Sequence, residues 1–151
     1  MIMWTTKTED RLRAWRKFRS DIGNQPFSNA LSDTVKLWSY APIVNRHTDF
    51  TNIGEFPDPW VLLLQDGHTD ISKALGMLYT LYLSTHGTTH QYRLQIVEAS
   101  TGLERYYLVV IDNGQFVLNY NFNEIVKIDD LEKDFKILHD FSTDDLQLTK
   151  L

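Results

Sequence analysis

Apolar residues recur at two different periods along the chain. Leu12, Trp15, Phe18 and Ile22 repeat at three and four, so residues 8–22 are expected to form an amphipathic helix. Thr8 is placed to cap it, and Glu9 and Asp10 fall in its first turn, where the helix dipole favours acids. Gly23 stops it. A second helix is expected from Phe27 to Trp38 through Phe27, Leu31, Val35 and Trp38, with Pro26 at its start and Pro42 as its latest end. The two helices are expected to form a hairpin.

Residues 39–60 are polar and punctuated by proline, and read as a long loop ending in Pro57-Asp58-Pro59-Trp60. Residues 70–84 follow, with Ile71, Ala74, Leu75, Leu78, Tyr79, Tyr82 and Leu83 covering more than half a helix circumference. Such a helix is buried on most sides. Thr69 or Asp70 is its cap, and Gly76 in its middle points to close approach by another backbone.

The period then changes to two. Strands are expected at about 90–98, 104–111 and 115–120, joined by Ser100-Thr101-Gly102 and Asn113-Gly114 turns too short for a crossover. Leu131, Phe135 and Leu138 suggest a last helix over Asp129–Asp140. The fold class is therefore α+β: an N-terminal helical hairpin, a long loop, a buried central helix, a three-stranded antiparallel meander and a C-terminal helix, in one domain over residues 1–151.

Composition sharpens this. The chain has 151 residues, 42 % hydrophobic and 23 % charged, which is globular composition. The net charge is −5, which argues against a general nucleic-acid binder. Charge is uneven, with +3 over residues 1–40 and −8 over the remainder. There is no cysteine, so disulfides, thiol nucleophiles and thiolate metal sites are excluded. No apolar run, Val61 to Leu64 among them, reaches the length needed to span a membrane, and the N-terminus lacks signal-peptide character. The chain is expected to stay in the compartment where it is made.

Candidate chemistry is sparse. His47, Asp49, Asp58, Asp66, His68 and Asp70 have the side chains of metal ligands but not the spacing of a metalloenzyme motif. An enzymatic reading needs His68, Asp66 and Asp49 to converge on a pocket. No Gly-x-Ser-x-Gly elbow and no glycine-rich phosphate loop is present. The sequence calls for no cofactor or metal and names no catalytic residue. Recognition of another protein is the reading that needs no site chemistry. Trp60 and Phe56 would be its anchors, and Arg13, Arg16 and Lys17 its rim charges.

Residues 67–120 resemble the papain/transglutaminase-like core. The segment Gly67-His68-Thr69-Asp70-Ile71-Ser72-Lys73-Ala74-Leu75-Gly76 opens the buried helix, and Arg105–Tyr120 is similar to the family's strand–turn–strand. In that family a cysteine opens the helix, and a histidine and an aspartate follow on successive strands. Here His68 sits near the cysteine position, Arg105 or Tyr106 matches the histidine, Asn119 matches the aspartate, and Tyr120 replaces the following proline. The likeness implies the architecture without the thiol chemistry. Its alternative implication is a degenerate papain/transglutaminase-like or metal-dependent hydrolase using the His68 region. Pro57-Asp58-Pro59-Trp60 and Lys73–Tyr82 also resemble small proteins of large tailed bacteriophages. That implies a virion component or an inhibitor of a host protein, in the host cytoplasm or the virion.

Overall fold

The computed structural model describes residues 2–44, 52–131 and 134–150. Its helices are α1 (Thr8–Gly23), α2 (Phe27–Ser39), α3 (Pro59–Leu64) and α4 (Asp70–Tyr82). Its strands are β1 (Tyr92–Glu98), β2 (Arg105–Ile111), β3 (Phe116–Leu118), β4 (Ile125–Val126) and β5 (Lys136–Ser142). The class is α+β, with four helices and a five-stranded antiparallel sheet of order β4-β3-β2-β1-β5 among the described residues. No helix there is long and apolar enough to cross a membrane.

The centre is α4. Every residue from Ile71 to Leu81 is buried, because α2 and α3 pack on one side and β1 and β2 on the other. The Thr69 side chain caps it by accepting from the Ser72 amide. Gly76 lies against the Trp38 ring, which a Cβ at this position would overlap. The close neighbour is thus a side chain, not the backbone expected from the sequence. Trp38 and Trp15 both donate their indole N–H to the Thr80 hydroxyl, at 2.9 and 3.0 Å. Thr80 in turn donates to the Gly76 carbonyl at 2.6 Å. Three elements therefore meet on one threonine, with its hydrogen-bonding capacity used.

β1 and β2 pair along their full length, from Tyr92↔Ile111 to Glu98↔Arg105. The turn after β2 carries three successive residues at positive φ, Asp112, Asn113 and Gly114, at 52°, 59° and 99°. These are the residue types that tolerate the left-handed region. The inner sheet face, including Leu94, Ile96, Val109 and Ile111, joins the helical core. The outer face builds a second cluster of Val97, Leu108, Val110, Val117 and Leu131.

Two sequence expectations are corrected. The helix over Asp129–Asp140 does not form. Ile128–Asp130 is a single 3-10 turn, and Lys136–Ser142 pairs with β1 as edge strand β5. The register shifts between Ile96 and Val97, so Val97 pairs with Ile137 while Ile96 pairs with His139, which leaves Leu138 as an extra residue. That bulge breaks the two-residue alternation. Leu131 and Phe135 cover the outer face while Leu138 packs inward, which together imitate a helical spacing. The meander is accordingly part of a larger sheet.

The second correction is in the long loop. Trp60 lies in helix α3. Pro59 occupies its first turn, and Asp58 caps it, accepting from the Val61 amide at 2.8 Å. Tyr79 donates to the Pro57 carbonyl at 2.8 Å and ties this corner to α4.

Candidate functional site

Three places hold the residues singled out by sequence. The first is the junction of α1 and α3. Leu62 and Leu63 turn inward, and Trp60, Val61 and Leu64 turn outward. Trp60 is 41 % exposed and meets Trp15 edge to face at 5.6 Å. The Arg19 guanidinium lies 4.3 Å from the Trp15 ring centre and 5.5 Å from that of Trp60. Both distances are within cation–π range. Burial and the neighbouring Arg16 lower the pKa of Arg19. Arg13, Arg16 and Lys17 are exposed on the same helix, with Arg13 held 3.6 Å from Asp10.

Arg11 leaves this basic row. It is buried and donates to the carbonyls of Leu63 and Gln65 at 3.2 and 3.0 Å, which closes the C-terminal end of α3. Phe56 also leaves it: the ring is partly buried and packs edge to face on Phe141 of β5 at 5.7 Å. The structure therefore brings Trp60 together with Arg19, and sends Phe56 to another element. Arg19 is the member of this surface that the sequence reading left out. Its position four residues after Trp15 was the available signal.

The second place is His68. It is 0 % exposed and lies between Trp4 and Trp38, each 5.2 Å away ring to ring. Its backbone is fixed on both sides: its amide donates to the Pro42 carbonyl at 2.7 Å, and its carbonyl accepts from Val44 at 3.1 Å. Neither ring nitrogen has a hydrogen-bond partner among the described residues. The two flanking indoles are already committed, Trp4 to the Leu37 carbonyl and Trp38 to Thr80. Burial, then the charges of Arg11 and Lys73, lower its pKa to about 4, so the ring is neutral at pH 7.

Asp66, its proposed partner in an enzymatic reading, has a side chain that is 95 % exposed and 3.9 Å from Arg11. His47 and Asp49 lie outside the described residues. Among the described residues no three His, Asp or Glu side chains gather in a metal-binding group.

The third place is a groove of about 270 Å³ at the first turn of α4. Its walls come from the end of α2 (Ser39), α4 (Asp70, Lys73), the start of β2 (Arg105, Tyr106, Tyr107) and the chain after β3 (Asn119, Tyr120, Asn121, Phe122). Of the positions matched to the papain/transglutaminase pattern, Arg105, Tyr106, Asn119 and Tyr120 line this groove, whereas His68, matched to the cysteine, does not. The residues of the groove supply no thiol and no imidazole. Asn119 adopts φ 68° and donates to the carbonyls of Asp70 and Tyr107 at 3.2 and 2.9 Å, tying helix to sheet.

No family model matches the chain, and no curated protein matches it.

Proposed function

We propose that the chain is a non-enzymatic protein-binding protein, and that the joined outer surfaces of α1 and α3 form its recognition face. One observation carries the reading. Trp60, exposed on α3, is held in place by Trp15 and Arg19 of α1, the helix that also carries the exposed Arg13, Arg16 and Lys17. A half-exposed, orientationally fixed tryptophan ringed by arginine has the composition of an interface hot spot.

The occupant that fits is an acidic, amphipathic segment of another protein. Its apolar side covers Trp60, Val61 and Leu64, and its carboxylates meet Arg13, Arg16, Lys17 and Arg19. With Arg11 buried, the acids of α1, Glu9, Asp10 and Asp21, leave its four remaining basic residues in excess. The bacteriophage likeness supports a viral or a host protein as the source, as a virion component or a target of inhibition. Nothing in this surface favours nucleic acid over an acidic protein on a chain of net charge −5.

The test is affinity capture from cells in which the chain is made, followed by measurement of purified partner binding. Trp60→Ala should lose the partner while staying folded, with melting lowered by no more than about 4 °C. Arg13→Glu with Arg16→Glu should slow association and flatten its salt dependence. Unchanged binding in both variants would remove this face from the interface.

A further inference from the structure

The groove at the start of α4 shares no residue with the α1/α3 face, and its floor holds a buried ammonium whose hydrogen-bond partner is a neutral carbonyl. Lys73 is 6 % exposed. Its ammonium donates to the Ser39 carbonyl at 3.1 Å, at the C-terminal end of α2. That partner is a neutral group at the negative end of a helix dipole, which compensates only part of a full charge. Lys73 has no other hydrogen bond and no ion pair among the described residues. Asp70 acts on it electrostatically from a greater distance, opposing the lowering of its pKa by burial. Buried ammonium groups are normally paired, because an unpaired one forgoes the hydration it had in water.

The groove around this charge is built in advance. Asn119 sits in the left-handed region and bridges α4 and β2 through two carbonyls. Arg105 stands at one side, 3.5 Å from Glu98 and half exposed, with further N–H groups to offer. At the mouth, Tyr40 and Phe122 meet edge to face at 5.1 Å, and Phe122 is 64 % exposed. An exposed aromatic pair beside a charged floor is complementary to a ligand with both characters.

We infer that this groove binds a small molecule carrying one carboxylate on an aromatic or flat apolar body, with Lys73 as counter-ion, Arg105 as second donor and Phe122 against the ring. Lys73 and Arg105 face Asp70 and Glu98, so the groove offers charge-assisted donors rather than excess charge, which suits a monoanion. A phosphate dianion would be opposed by Asp70.

The test is a titration of the full chain with benzoate, and in parallel with inorganic phosphate, followed by amide NMR. Benzoate should shift the amides of residues 70–73 and 119–122 saturably. Lys73→Met should weaken binding at least about tenfold, the loss expected for a charge-assisted hydrogen bond. Phe122→Ala and Arg105→Gln should each weaken it by about threefold or more. Both side chains are substantially exposed, so these two variants decide the matter if Lys73→Met does not fold. Absence of a saturable shift with benzoate overturns the assignment. So does benzoate binding that is unchanged in Phe122→Ala and Arg105→Gln. Phosphate binding tighter than benzoate and indifferent to Phe122→Ala would overturn the aromatic carboxylate in favour of an inorganic anion.

Discussion

The two ends of α4 treat a buried polar side chain in opposite ways. Toward its C-terminal end, Thr80 accepts from two tryptophans and donates to a carbonyl. Just before its N-terminal end, His68 touches two tryptophans and bonds to neither. Trp38 is shared by both: its indole N–H reaches Thr80, and its ring packs on His68. A threonine hydroxyl can serve both indoles because it rotates and accepts twice. The imidazole is held by its own backbone bridge to residues 42–44, in a pocket whose donors are already spent. One end is consequently a satisfied hub, whereas the other is stable only while the imidazole is neutral.

Thr80→Val breaks the satisfied end. It keeps the shape and orphans two buried indole N–H groups, at about 1–3 kcal/mol for each. Denaturant unfolding should show a drop within that doubled range. A loss under about 1 kcal/mol would mean that the hub contributes little.

At the other end the perturbation is pH. The folded state depresses the His68 pKa from 6.5 to about 4. Below 6.5 the unfolded chain takes up a proton that the folded chain refuses. Stability is therefore complete above that pH and falls as pH drops toward 4. The loss approaches about 3 kcal/mol, on the order of the shift converted at 1.36 kcal/mol per unit. His68→Leu should remove this part of the acid sensitivity and leave stability at pH 7 equal or higher, since it deletes two unpartnered nitrogens. An identical acid slope in the variant would contradict the assignment.

Gly76→Ala returns to the satisfied end and probes its packing. The new methyl would overlap the Trp38 ring, so the indole must move, at about 1–3 kcal/mol. The Trp38 fluorescence environment should change with it. Trp60→Ala is the smallest effect. Its ring is half exposed, so unfolding should lose only about 1 kcal/mol or less, although partner binding is lost.

Much of this frame is legible in the residues. The stripes of α1, α2 and α4 are long enough for their period to be unambiguous, and the alternation of β1 with the short turn that follows it sets its pairing with the continuous apolar run of β2. What fails to show does so for identifiable reasons. Helix α3 spans six residues, too few to display a period, although Asp58-Pro59 is a good start signal. Strand β5 hides behind the bulge at Leu138. His68 stands in a run of polar residues, Asp66-Gly67-His68-Thr69-Asp70, and is buried by tryptophans 64 and 30 positions away in sequence, at Trp4 and Trp38. Lys73 likewise bonds to Ser39, 34 positions away, so neither the unpartnered imidazole nor the buried ammonium can be read from its neighbours. Arg11 shows the converse: it has the sequence context of a solvated charge and the structural role of a helix cap.

The recognition face meets its most direct test in hydrogen–deuterium exchange of the purified chain with and without its captured partner. Slowed exchange should fall on residues 8–23 and 59–64, and be absent when the partner is added to Trp60→Ala. Protection confined to residues 39–43 and 119–122, with α1 and α3 exchanging as in the free chain, would contradict the assignment of that face.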